Sequence, residues 1–164
     1  MSGRKPRRVR FAPVTNTMAI ALHNAAKPNR SDVGELLDAI KGSFKALREG
    51  VATERQWSIL AGTLDVALAV ERQGVVRGLH GHLMAAEQAL QTIYNRAMLS
   101  TGWQPTALHY RELDAIHTFV DLHAYQVKQL SRAEYLAAIR TAQARNRNLH
   151  NTVTVVTDLE RLAA

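Results

Sequence analysis

Histidine and carboxylate side chains one helical turn apart are the first residues to examine for chemistry, because two such ligands on one helix face can share a zinc ion. Asp114, His117 and Asp121 have that spacing in a stretch with helical apolar periodicity. One helix rarely supplies a whole metal site, and no His-Glu-x-x-His pattern accompanies these three. Acidic residues on an exposed helix face are also common, so no resident metal or cofactor is assigned to them. His80 and His82 flank Gly81 and point about 200° apart on a helix, so they make no joint site. His123 lies on an apolar side near Ile116, Phe119 and Leu130. A lone histidine there reads first as a core residue with one hydrogen bond satisfied. Glu71 falls in line with Trp57, Leu60, Leu64 and Leu68. A carboxylate on such a stripe is either partly buried with a raised pKa, which can mark a functional site, or emerges into solvent at the helix end beside Arg72 or Arg77. The second is the simpler expectation.

Catalytic patterns fail. Gly74, Gly78 and Gly81 have no preceding strand and no following Lys-Thr, so neither nucleotide fingerprint is met. Gly-x-Ser-x-Gly is absent, and nothing in the spacing of Ser, His and Asp suggests a triad. The Glu-x-x-His pairs of di-iron bundles are missing. There is no cysteine, which excludes disulfides, thiolate zinc sites and cysteine nucleophiles. The expectation is a protein that is not an enzyme. A small-ligand pocket between the third, fourth and fifth helices, for instance for a nucleotide signal, is an alternative. Glu71, His82, Trp103 and His123 would line it.

The elements that must position these residues read as helices. Hydrophobic residues are 46% and charged residues 21% of the 164, a globular composition rather than a disordered one. A chain of this length buries roughly 70% of its unfolded surface, enough for one core. A first helix is expected near 16–26, ending before Pro28. A second, near 32–49, shows Val33, Leu36, Leu37, Ile40, Phe44 and Leu47 on one stripe. The third, near 54–73, is apolar nearly all round and should be the central element. Its thinner face carries Ser58, Gly62, Asp65, Ala69 and Arg72, where a neighbouring backbone could come close. Three more are expected near 78–99, 109–130 and 132–149. Asp32 with Glu35, Thr53 with Gln56, and Ser131 with Glu134 read as capping boxes. Gly50 and Gly74 stand where helices should stop, and Thr101–Pro105 breaks the chain. Strand signals are nearly absent, Thr152–Val156 being the one β-branched run. The fold class expected is therefore all-α. It is a single-domain antiparallel bundle of five to six helices over 14–164, with sequential helices packed side by side and an extended basic N-terminal arm over 1–13.

That arm holds Arg4, Lys5, Arg7, Arg8 and Arg10 without an acid, whereas the remainder of the chain is nearly balanced, with 16 basic and 14 acidic groups. Pro6 and Pro13 favour an extended path. The arm is suited either to phosphates or to an acidic protein surface. Five phosphate contacts on duplex DNA would give a salt slope of roughly −4.5. A solvated tail that aids solubility is the plain alternative. Only Phe11 is aromatic there, so base stacking has little support. Gln143–Asn148 is the nearest match to a recognition helix, but it lies at a helix end rather than after a tight turn. No apolar run is longer than Val66–Val70, far short of the ~20 residues of a membrane span. No membrane contact is expected, and the location expected is cytoplasmic.

In Lys5-Pro6-Arg7-Arg8-Val9, Trp57-Ser58-Ile59-Leu60, Leu64-Asp65-Val66-Ala67, Ala86-Glu87-Gln88-Ala89-Leu90 and Leu122-His123-Ala124-Tyr125-Gln126, the chain resembles small accessory proteins encoded by bacteriophages and prophages of proteobacteria. The likeness covers about two-thirds of the chain in loose motifs. That group brings no established activity, so no functional residue carries over. The resemblance implies a setting, the bacterial host cytosol, and by analogy a protein that binds and modulates or inhibits a host macromolecular complex such as a defence system. The partner expected is a host or phage protein complex. Nucleic-acid binding through the arm is an alternative, and self-association through an apolar helix face is a further expectation.

Overall fold

The structure, a computed structural model, describes residues 25–148. The arm with Arg4, Lys5, Arg7, Arg8 and Arg10, most of the helix expected near 16–26, and Thr152–Val156 lie outside the described residues. Five α-helices and one short hairpin make up the described part: α1 (Arg30–Arg48), α2 (Glu54–Gln73), α3 (His80–Ala97), β1 (Met98–Leu99), β2 (Gly102–Trp103), α4 (Tyr110–Gln129) and α5 (Arg132–Asn148). This is the all-α bundle that the apolar spacing predicts.

The helix ends follow local chemistry. Thr53 accepts from the Gln56 amide while the Gln56 side chain accepts from the Thr53 N–H, so α2 starts on a reciprocal cap. The carboxylate of Glu134 accepts from both the N–H and the hydroxyl of Ser131 at the start of α5. Gly74 ends α2 with φ +79, a left-handed conformation that an L side chain adopts only with strain. The start of α1 differs from expectation. The cap is Asn29, whose side chain accepts from the Ser31 N–H, and the helix begins at Arg30 rather than at Asp32. Asn is as good a cap as Asp, and the earlier position turns Asp32 into a first-turn acid that suits the helix dipole. The far end of α4 is closed from a distance: the Lys27 ammonium donates to the carbonyls of Lys128 and Gln129.

α2 is the central element. Val66, Ala67, Leu68, Ala69 and Val70 are all buried in succession, which requires neighbours all round. α1, α3, α4 and α5 supply them. The thinner face of α2 takes α5: the Arg145 guanidinium lies 3.8 Å from Asp65, and Gln73 donates to the Glu134 carbonyl. The expectation that sequential helices lie side by side therefore holds for α1 to α4 and fails at the last step. The link between α4 and α5 is short. Leu130 within it is extended (φ −76, ψ 149) and fully buried, and α5 crosses to pack chiefly on α2.

The 101–105 break is also more ordered than expected. Met98 pairs with Trp103 and Leu99 with Gly102 in an antiparallel hairpin. Gly102 has φ +102, and the Gln104 N–H donates to the Ala97 carbonyl. Two residues per strand are too few to show period-two alternation.

Candidate interaction surface

The four residues expected around a pocket do not meet in one place: Glu71 and His82 both lie at the start of α3, Trp103 beyond its other end and His123 in the core. Glu71 does not emerge into solvent. Its Oε1 accepts from the N–H groups of Gly78 (2.9 Å) and Leu79 (3.2 Å), at the start of a helix whose cap residue, Leu79, has no side-chain acceptor of its own. A carboxylate there satisfies free N–H groups and the helix dipole. Arg77 turns away to donate to the Gly74 carbonyl. His82 is exposed on the first turn of α3. Trp103 lies beyond the other end of α3, about 27 Å away along an 18-residue helix. His123 is fully buried. Its Nδ1 is 3.2 Å from Gln126 Oε1, and Gln126 in turn donates to the Ala67 carbonyl of α2. Burial pushes the imidazole down to about 4, against a smaller upward pull from Gln126, so it is neutral at pH 7. Phe119 and Tyr135 are its ring neighbours. It is a core histidine, and the burial of Tyr135 raises that phenol well above its ordinary value.

Asp114, His117 and Asp121 share the exposed face of α4. Only His117 and Asp121 approach, at 3.8 Å. Among the described residues no group of three or more His, Asp or Glu is placed to hold a metal ion. Gln143–Asn148 belongs to the continuous helix α5. Arg145 there reaches Asp65 and Glu87 (3.6 Å), and Asn146 is buried. Burial raises the Asp65 carboxyl, with Asn146 and Arg145 partly offsetting that. Arg145 thus ties α5 to α2 and α3, and Arg145 and Asn146 are turned inward rather than presented as a recognition helix would present them.

What the fold does bring together lies at the hairpin end, where α1 stops, α2 starts, α3 stops and α4 starts. Trp57, Tyr94 and Trp103 form one aromatic cluster, with ring centroids 4.8 Å (Trp57–Tyr94), 6.1 Å (Trp57–Trp103) and 6.3 Å (Tyr94–Trp103) apart, all tilted. Such geometry suits aromatic quadrupoles. Both indole N–H groups point inward: Trp57 donates to the Leu90 carbonyl (3.0 Å) and Trp103 to the Ala52 carbonyl (2.8 Å). The two indoles are thus pinned, and all three rings remain part-exposed. At the same end of the bundle, Val51 is 61%, Leu99 52% and Tyr110 80% exposed. These are half of the six large apolar or aromatic side chains that stand exposed among the described residues.

A polar web stiffens the same end. Arg96 makes a two-pronged pair with Glu112, both contacts 2.8 Å, and also donates to Thr106 Oγ1 and the Ala107 carbonyl. Glu112 further accepts from the His109 N–H at the start of α4. The Arg96 guanidinium beside Glu112 holds that carboxyl below its usual range. Next to this web an open depression of about 190 Å3 lies between α1 and α4, lined by Phe44, Arg48, Tyr110, Leu113, Asp114 and His117. Nothing in this assembly pairs a nucleophile with a base; what it offers is rigid, half-wetted aromatic area. Sequence reading singled out Trp57 and Trp103 separately and passed over Tyr94 and Tyr110. The one available signal was the concentration of Trp and Tyr around the chain break.

No protein-family model, no curated protein and no solved structure matches the chain.

Proposed function

We propose that the chain is a non-catalytic binding protein that engages a protein complex through its hairpin end. The observation that carries the reading is the cluster of Trp57, Tyr94 and Trp103, its two indoles held by N–H bonds, with Val51, Leu99 and Tyr110 exposed at the same end of the bundle. Tryptophan and tyrosine are the side chains over-represented where partners bind tightly. The two indoles, already held by part-buried N–H bonds, lose little freedom on association. Leaving such side chains in water forgoes about 1.5–3 kcal/mol for each large one that a partner could cover. The wider setting, a phage-type accessory protein that modulates or inhibits a host complex such as a defence system in the bacterial cytosol, rests on the resemblance alone. Among the described helices none is long and apolar enough to cross a membrane.

The test is affinity capture from bacterial lysate by the full chain, by a Val51→Ser/Leu99→Ser variant, and by Met84→Ser as an exposed apolar control on another part of α3. The reading expects a specific protein retained by the wild type and by Met84→Ser and lost by the double variant. Retention by the double variant, or no specific protein in any eluate, overturns it. A second reading follows from the five cations among the first ten residues: a nucleic-acid partner held by the arm. It expects retention that weakens steeply with salt and disappears after nuclease treatment or after substitution of Arg4, Arg7, Arg8 and Arg10 by alanine.

A further inference from the structure

The depression between α1 and α4 carries charges of both signs that meet no counterpart among the described residues. Phe44 and Leu113 give it an apolar floor, and Tyr110 stands beside them almost fully exposed. His117 has Asp121 on its own helix, 3.8 Å away. Arg48 and Asp114 are different. Both are exposed and both line the depression, yet among the described residues neither is within 4.0 Å of an opposite charge and neither side chain makes a hydrogen bond. An anion drawn to Arg48 is repelled by Asp114, and a cation drawn to Asp114 is repelled by Arg48. The surface that satisfies both at once bears an acid and a base at matching positions. A second copy of this face is such a surface. Across a two-fold axis Arg48 meets Asp114 of the other copy while Asp114 meets the other Arg48, the reciprocity that an isologous interface demands.

We propose that the chain forms a two-fold homodimer through the α1–α4 face, with Tyr110 near the axis and reciprocal Arg48–Asp114 pairs on either side. The proposal does not rest on partner capture by the hairpin end; Tyr110 belongs to both surfaces, and the two are read separately, the dimer by sedimentation of the chain alone and the partner by capture. The interface combines one buried aromatic anchor per copy with rim charges, so the association is a modest one that shows itself by concentration.

Sedimentation velocity of the full chain from about 1 µM to about 1 mM, at low and at physiological salt, tests it. The wild type is expected to shift from monomer to dimer over that range. Arg48→Asp and Asp114→Arg each turn two attractive contacts per dimer into two repulsive ones and should each weaken association about tenfold, more at low salt. The two together restore the pairing in reverse and should return the dissociation constant to within about threefold of the wild type, the non-additivity expected of residues in contact. Tyr110→Ser should weaken association at least as much as either reversal. Arg48 sits in the last turn of α1, where a cation suits the helix end. The milder Arg48→Gln and Asp114→Asn variants, expected to weaken association without rescue when combined, therefore guard against a folding defect, which circular dichroism detects. A monomer at every concentration overturns the proposal. So does a dimer indifferent to the single reversals, or a double reversal as weak as either alone. A wild type that stays monomeric but loses capture of a foreign protein on Arg48→Asp assigns this face to that protein instead and likewise overturns the dimer.

Discussion

Acid should loosen this bundle through one side chain, His123. Its imidazole is fully buried, touches the polar interior only through Gln126, and is held near 4 where an unfolded chain has 6.5. Because the folded value is depressed, the unfolded chain binds more protons between the two values, and stability falls as pH drops through that window. The whole shift corresponds to about 3 kcal/mol at 1.36 kcal/mol per unit. By pH 5 the unfolded imidazole is almost fully protonated while the folded one is still mostly neutral, so about 2 kcal/mol of this is already lost relative to pH 7. Other groups should not mimic the effect there. The Glu112 carboxyl is lowered by Arg96, so its contribution is lost only at more acid pH, below its ordinary 4.5. The Asp65 carboxyl is raised by burial, so its protonation on acidification favours the folded state. Urea denaturation at pH 7 and pH 5, on the wild type and on His123→Phe, reads the difference. The variant should be less stable at pH 7, because Gln126 Oε1 loses its partner inside the core, but it should lack the pH 7-to-5 loss. A wild type with no such loss, or a variant with the same one, would refute the assignment of a neutral core imidazole.

Arg96→Ala should cost about 2–3 kcal/mol in the same assay, since it strips a two-pronged partner from a nearly buried Glu112 and a donor from the Ala107 carbonyl. Arg96→Lys should recover little of it, because one ammonium cannot replace a planar fork with several simultaneous acceptors. Thr53→Ala should cost about 1 kcal/mol by removing the cap of α2, visible as a lower urea midpoint at unchanged slope. Gly74→Ala should cost about 1 kcal/mol or more, because its φ is +79; the Arg77 guanidinium that a Cβ would approach is the end of a flexible side chain and can move aside. A Gly74→Ala protein as stable as the wild type would contradict the left-handed turn.

The parts of the fold that were legible in the sequence are those fixed by neighbouring residues. Thr53 with Gln56, Ser131 with Glu134, and Gly74 each act within one helical turn, and the structure places them as local chemistry suggests. The continuous apolar run from Val66 to Val70 likewise marked α2 as central. The start of α1 was misplaced because Asn29 and Asp32 are equally good caps and only the path after Pro28 chooses between them. The crossing of α5 to α2 was not legible, since a short link is equally compatible with a side-by-side pair, and the choice is made by long-range contacts such as Arg145 with Asp65. The candidate surface was the least legible part. Trp57 read as an ordinary stripe residue and Trp103 as a pocket residue. Their common surface exists only because Leu90 and Ala52, far away in sequence, accept from their indoles. Glu71 was placed on the right stripe, but its role needed the turn that brings Gly78 and Leu79 back to it.

The central claim is that the hairpin end is where this bundle meets its partner. Hydrogen exchange on the captured complex against the free chain tests it most directly, through amides at 49–53 and 98–110. The account predicts slower exchange on binding at those two segments and at the start of α2, with the α2–α3 turn and the exposed face of α5 unchanged. Protection confined to α5 or to the 74–82 region would contradict it.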